Sequence, residues 1–381
     1  MRNAHLNINE FTNASRVLKQ VNSLIRARTF ETIIIIALGS PSLKKHEIIT
    51  PGIELYRIQL LTRSLPKNLI FQAIKYIEFF IRATWLLAKF KPQVVNAHAL
   101  GVLPIACFYK LFSNSRLIYD AHELETEQTG GKSLRKSLSK WLEKRLINCH
   151  DLMFAVSESI ADWYANEYKI ARPSVILNAP HKREIKINNH FREQLGIRNN
   201  QTILLYQGGL APGRGIHLIL DAFKARSDDK VVAVFMGYGP LEEHIKKAAL
   251  QQQNIFFHPA VKPQVVLEYT ASADIGINLI ENTCLNHEYC MPNKLFEYIM
   301  TGLPVLTSNT KDMSYFVSKN QIGTAICDLS ATGVNKAIGD FLIRDLTIMK
   351  ANAYRVACEH AWEVQEKKML AAYQDMLEAN G

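Results

Sequence analysis

The amino-acid sequence predicts an α/β protein of two doubly wound parallel-sheet domains. Short β-branched runs alternate with amphipathic helical stretches, the pattern of strands covered by helices on both faces. The alternation is run through twice, on either side of a loop-like stretch at residues 178–190. A chain of 381 residues exceeds what one ordinary core accommodates and suits two.

In the first half, strands are expected over 33–38, 94–97, 117–119, 152–156 and 174–177, with helices over 15–27, 69–90 and 132–148. In the second half, strands are expected over 203–207, 231–236, 255–258, 275–279 and 304–307. The stretch 178–190 holds Pro180 and mixed charges, and it places the domain boundary after residue 184. The second domain then runs over 185–360. The tail over 352–377 reads as helix throughout, and its part over 361–381 is expected to pack on the first domain.

No run approaches a membrane span. The most apolar one, 33–38, is short and followed by Gly39, as in a buried strand. The N-terminus shows no pattern of a secretory leader. Cys107, Cys149, Cys284, Cys290, Cys327 and Cys358 have no CxxC spacing and no cluster with His, and they read as buried free thiols in a reducing cytoplasm. The net charge is +10, and residues 1–184 hold 26 Lys+Arg against 15 Asp+Glu, while 185–381 hold 19 against 20. The cationic excess therefore lies wholly in the first half. No zinc-finger spacing, RNP-like motif or helix-turn-helix accompanies it, so an anionic membrane surface is favoured over nucleic acid as its partner. The helices over 69–91 (Phe71, Tyr76, Phe79, Phe80, Trp85) and 132–145 (Trp141) combine aromatic and cationic residues, and read equally as membrane-facing or as core with solvated charges.

Three clusters follow strand ends in the second half, where an open α/β sheet binds ligands. The first holds Gly208, Gly209, Arg214 and Gly215, ahead of a helix. Glycines there admit a close ligand, free amides at a helix start attract an anion, and a guanidinium suits phosphate. The spacing is neither that of a Walker A loop nor GxGxxG. The second is Gly237, Tyr238 and Gly239, a turn against which a nucleobase fits. The third places Pro292, Asn293, Lys294, Leu295 and Glu297 at the start of a helix ended by Gly302 and Pro304. Glu297 reads equally as an acceptor for sugar hydroxyls and as the salt-bridge partner of Lys294. In the first half, His122 follows the strand 117–119, with Glu123, Glu125 and Glu127 after it. That acidic run reads as a solvated loop rather than a metal site, and His98 as a packing residue or one that supports the site from behind, rather than a catalyst.

Taken together, these residues resemble retaining glycosyltransferases of the GT-B architecture, in the large family 4 group (glycosyl transferases group 1). The likeness includes 13–24, 117–123, 155–158, 178–180, 206–215, 237–240, 273–276, 292–305 and 362–373. It implies two Rossmann-like domains facing a central cleft. The first would bind the acceptor and the second the nucleotide-sugar, with the C-terminal helix crossing back to the first. It implies that Glu297 binds the nucleotide ribose, that Arg214 meets the donor diphosphate, and that Gly208 and Gly209 approach the phosphates. His122 would lie near the donor sugar, and the loop of Asn13 and Ser15 over the acceptor, with Glu123 on the same side. The chain departs from the family in three places. Tyr289 stands eight before Glu297 where a second Glu is common, with Glu288 one residue off. Asn13 and Ala14 replace glycines, and the lysine that commonly accompanies Arg214 is missing unless Lys262 substitutes.

The expected activity is transfer of a sugar, with retention, from a nucleotide-sugar to a lipid-linked glycan acceptor in bacterial surface polysaccharide biosynthesis, on the inner face of the membrane. UDP is favoured over GDP because UDP donors are commoner in the family. No metal or other cofactor is expected, and no DxD motif is present. The alternatives are a non-hydrolysing nucleotide-sugar epimerase and a catalytically silent sugar-nucleotide-binding partner protein.

Overall fold

The computed structural model describes residues 1–128 and 134–379. The chain forms two compact units. The first comprises Met1–Ile176 and the segment from Glu366 onward, the second Leu177–Gln365. Residues 177–184, read from sequence as part of the first domain, therefore belong to the second.

The first unit carries strands β1 (Arg2–Leu6), β2 (Thr32–Leu38), β3 (His46–Thr50), β4 (Ile53–Ile58), β5 (Val94–His98), β6 (Arg116–Asp120), β7 (Leu152–Ala155) and β8 (Ser174–Val175). They form one sheet in the order β3-β4-β2-β1-β5-β6-β7-β8. Only β3 is antiparallel, to β4. Ile33 to Ala37 of β2 are all buried, the continuous burial of a parallel strand with helices on both faces. The order reverses between β1 and β5. Strand β1 escaped the sequence reading because Asn3 and His5 interrupt its apolar pattern, yet both are buried. The helix Trp362–Glu378 belongs to this unit from Glu366 on. Its Tyr373 is fully buried, contacts the rings of Phe30 and Phe154, and donates its hydroxyl proton to Asn96. The tail is not one helix: Leu346–His360 and Trp362–Glu378 are separated by Ala361, whose ψ of 162° is extended.

Two helices of the first unit show how an apolar surface divides. Leu69–Phe90 buries Phe79, Ala83, Leu86 and Leu87, while Ile70, Ile74, Ile77, Ile81 and Trp85 form an exposed stripe at helical spacing. Phe79 is thus core rather than membrane-facing, and the partly buried rings of Tyr76 and Phe80 meet at a tilt of 59°. The expected helix over 132–148 is seen as Leu134–Leu146, and its first two expected residues lie outside the described ones. Trp141 on it is exposed, whereas Glu143 is buried and accepts from the hydroxyls of Tyr119, Tyr164 and Tyr168 at 2.8–2.9 Å. Burial outweighs those bonds and raises the Glu143 carboxyl above its ordinary range.

The second unit carries β9 (Thr202–Gly209), β10 (Val231–Tyr238), β11 (Ile255–Pro259), β12 (Ile275–Asn278), β13 (Val305–Ser308) and β14 (Gly323–Ile326), in the order β11-β10-β9-β12-β13-β14 and parallel throughout. This is the doubly wound order with its reversal between β9 and β12. On β12, Gly276 lies under the ring of Tyr298. A Cβ there would come within 2.4 Å of the ring. Tyr298 cannot retreat, because its hydroxyl accepts from the Gln207 amide and donates to the Ile277 carbonyl.

Gly276→Ala is accordingly expected to destabilise by about 1–3 kcal/mol through overpacking. Gly339→Ala, in the helix Ala331–Leu342 with nothing within 4 Å of the new Cβ, is expected to stabilise by about 0.5–1 kcal/mol. Thermal denaturation of the two variants measures both, and a neutral Gly276→Ala would show that the ring moves freely.

Candidate active site

In the second unit, β9 ends in Gly208 and Gly209, and the chain turns through Gly213, Arg214 and Gly215 into the helix Ile216–Lys224. Gly215 has φ +71°, and a Cβ there would lie 1.9 Å from the Leu279 carbonyl oxygen. Only glycine permits the turn to close so tightly on the exit of β12. Gly237 and Gly239 close in the same way on the backbone of Gly208 and Leu210, and Tyr238 between them stands 59% exposed.

The helix Asn293–Met300 begins after Pro292. Leu295 is buried and anchors it, while Asn293 is exposed. Glu297 accepts a hydrogen bond from Nε2 of Gln207 on β9, and Gln207 Oε1 accepts in turn from the Thr270 hydroxyl at 2.7 Å. Lys294 lies with Nζ 3.6 Å from the centroid of the Tyr206 ring, against the Gly208 backbone. The residue keeps some exposure, but its ammonium end is enclosed. Burial pushes Lys294 down to about 7, helped by the positive field of Arg214, against which Glu297 acts in the opposite sense. Two cations are thus held close together beside a glycine turn and a helix start. Lys294 is a second cation near Arg214, and the sequence signal for it was its position one turn ahead of Glu297. Such a constellation is chemically suited to a multiply charged anion.

Tyr289 and Glu288 end the short segment Leu285–Glu288. Glu288 accepts from Asn282, and Lys311 lies over the Tyr289 ring at 5.2 Å.

In the first unit, Asn13 and Ser15 are exposed at the exit of β1, Ser15 opening the helix Ser15–Arg26. His122 follows β6 and is partly buried. Its Nε2 lies 3.1 Å from Asp120 Oδ2 and 3.2 Å from His98 Nδ1. Of the two roles expected for His98, packing and support, these contacts with Asp120 and His122 give it the second. Asp120 is buried and held by Arg16, whose Nη2 and Nε reach both carboxylate oxygens. Arg16 and the histidines hold the Asp120 carboxyl well below its usual range, against the burial that opposes them. Among the described residues, His98, Asp120 and His122 are the one group whose ligand atoms come together as at a metal site, within 4.8 Å. The bidentate Arg16 already occupies the carboxylate and opposes a cation there. The acidic run is not a solvated loop. Glu127 pairs with Lys136 and Lys140, Glu123 accepts from Gln128, and burial raises Glu125 to about 7.

Residues 14–179 match the model of the family described as Glycosyltransferase Family 4, and residues 188–355 that described as Glycosyl transferases group 1. Over 203 residues the chain is 27% identical to the lipopolysaccharide 1,2-N-acetylglucosaminetransferase of Salmonella typhimurium. That match takes in 48% of this chain and 52% of the relative, so the chain spans about half the length of the curated relative it matches. Sucrose-phosphate synthase from Thermosynechococcus elongatus superposes with a TM-score of 0.80 at 14% identity, covering all of both chains. HepE of Anabaena in complex with UDP-glucose gives 0.72 at 14% identity, over 98% and 99% of the two chains. WaaG, a glycosyltransferase involved in lipopolysaccharide biosynthesis, gives 0.69 at 15% identity, over 99% and 100%. These structures share the GT-B fold of two Rossmann-like units, and with both halves matched by family models the chain belongs to the group 1, family 4 glycosyltransferases.

Proposed function

We propose that this chain transfers a sugar from a nucleotide-sugar, a UDP-sugar before a GDP-sugar, to a lipid-linked glycan acceptor with retention at the anomeric carbon. The observation that carries the donor reading is the pairing of Arg214 with an enclosed Lys294 beside the Gly208–Gly215 turn. Two like charges held together destabilise each other until an anion arrives, and a diphosphate supplies the matching charge. In this reading Arg214, Lys294 and the amides at the start of the helix Ile216–Lys224 bind the diphosphate and stabilise it as it leaves. No metal is needed for that. Glu297, oriented by Gln207, accepts from the ribose hydroxyls, and the exposed Tyr238 borders the base. His122 meets the transferred sugar, and Asn13, Ser15 and Glu123 lie on the acceptor side. Support for UDP comes from HepE, whose structure contains UDP-glucose. Support for a lipopolysaccharide-type acceptor comes from the relatives named for that biosynthesis.

The same proposal extends to the membrane. No helix among the described residues is long and apolar enough to cross one. The exposed stripe Ile70, Ile74, Ile77, Ile81 and Trp85 adjoins the exposed Phe108 and Phe112. Trp141 stands on a helix rich in Lys and Arg. With a charge excess of +11 over residues 1–184 (26 against 15), this surface suits the anionic cytoplasmic leaflet, each basic residue near it contributing about 1 kcal/mol.

Three outcomes are expected. UDP at about 100 times its Kd should raise stability by about 2.7 kcal/mol. Glu297→Ala should weaken that binding about 10- to 150-fold by losing charged hydrogen bonds. Lys294→Met should lower turnover about 100-fold or more while raising the melting temperature of the ligand-free protein. A shift with NAD alone, or none with any nucleoside diphosphate, overturns the transferase reading.

Because Lys294 titrates near 7 when the site is empty and a diphosphate favours its charged form, UDP binding should take up a proton above that pH. Affinity should then fall as pH rises through 7 to 9, as seen by calorimetry in buffers of different ionisation enthalpy. A pH-independent Kd would remove Lys294 from the anion site.

Flotation with vesicles should show retention on phosphatidylglycerol and weak binding to phosphatidylcholine. The double variant Ile77→Glu/Ile81→Glu should be released from both. Equal binding of variant and parent would mean that this face does not meet lipid.

A further inference from the structure

At the C-terminal ends of β1, β5 and β6, His5, His98, Asp120 and His122 form one connected chain of polar groups. His98 and Asp120 are register partners across β5 and β6. Oδ2 of Asp120 lies 3.2 Å from His98 Nδ1, 3.1 Å from His122 Nε2 and 2.8 Å from Gln20 Nε2. Behind it, Arg16 spans both carboxylate oxygens and donates through Nη1 to the Ile176 carbonyl. His98 Nε2 lies 2.8 Å from His5 Nδ1.

Proton positions follow from these distances. A carboxylate held anionic by a bidentate guanidinium accepts and cannot donate, so both facing imidazole nitrogens carry hydrogen. The 3.2 Å approach of His98 Nδ1 to His122 Nε2 is then the convergence of two donors on one oxygen rather than a bond between them. Burial lowers His98, so it is neutral and its Nε2 accepts from His5 Nδ1. That leaves His5 Nε2 as a bare acceptor, and it is indeed buried without a partner. Tyr373 of the terminal helix closes the far side through Asn96.

We propose that Asp120, clamped by Arg16, is a positioning residue that holds His122 with Nε2 protonated and Nδ1 presented as a hydrogen-bond acceptor. Only the identity of what Nδ1 meets, a sugar hydroxyl, rests on the proposed glycosyl transfer. A His122 that donated from Nδ1 would read the opposite partner, so this clamp selects hydroxyl donors over carbonyl or phosphate oxygens. Asp120 touches no substrate in this arrangement, since Arg16, Gln20 and the two histidines surround its oxygens.

The test has a spectroscopic and a kinetic arm on the full-length protein. In ¹⁵N-histidine spectra, with the His122 signals assigned by His122→Ala, His122 is expected to be protonated at Nε2 alone. Asp120→Asn should abolish that preference and lower kcat about 10- to 100-fold with little change in donor KM. The double variant Asp120→Asn/His122→Ala should be no slower than His122→Ala. A wild-type His122 protonated at Nδ1 overturns the proposal, as does an Asp120→Asn loss that persists undiminished in the His122→Ala background. Removing the carboxylate also strips a buried Arg16 of its partner and can unfold the variant, so the wild-type spectrum decides on its own. Full turnover by His122→Ala would instead defeat the contact between His122 and sugar, with the spectrum still deciding the tautomer.

Discussion

A parallel sheet that grows outward from its first strand in both directions must reverse order once, and at that point neighbouring connections leave toward opposite faces. Both units are built on this constraint. The reversal falls between β1 and β5 in the first and between β9 and β12 in the second. The crevice it opens lies at the C-terminal strand ends. There the backbone is free of the ladder, and loops can carry polar groups that a sheet buried on both faces would reject. The glycine turn, Arg214 and Gln207 all owe their positions to β9, just as His5, His98 and Asp120 owe theirs to β1, β5 and β6.

The two crevices manage charge in opposite ways. In the first unit an anion is buried but fully answered: Asp120 has a bidentate guanidinium and three further donors, so the cluster is stiff and self-sufficient. In the second unit two cations, Arg214 and Lys294, lie close together, and an aromatic face lies under Lys294. A satisfied network fixes geometry, whereas an unsatisfied one stores a driving force for a ligand. Glu143 is a third case, a buried carboxylate answered by neutral hydroxyls alone. It ties the helix Leu134–Leu146 to the sheet without a counter-ion.

Much of this was legible in the sequence where apolar periodicity and glycine placement spoke together. The strands β2, β9, β10 and β12, the helix Leu69–Phe90, and the clusters around Arg214 and Glu297 all announced themselves that way. Strand β1 did not, because Asn3 and His5 look like surface residues although both are buried. Strands β3 and β4 were not read from the sequence at all, and β14 is too short to show a period. Asp120 and Arg16 are 104 residues apart, and no local pattern links them. The stripe on Leu69–Phe90 was read through its aromatics, yet apart from Trp85 the exposure falls on isoleucines. Periodicity gives a helix its faces but not which face a neighbour will cover. The break at Ala361 carries no proline or glycine to mark it.

The division of the chain has a bearing on the order in which it becomes a protein. The second unit is continuous and has all its residues once Gln365 has been synthesised. The first unit begins at Met1 but is not complete until the final helix places Tyr373 against Asn96, Phe30 and Phe154. On the ribosome, then, the part made first is finished last. Its buried strands must wait, with that seat in the core unfilled, until the helix Trp362–Glu378 has left the exit tunnel.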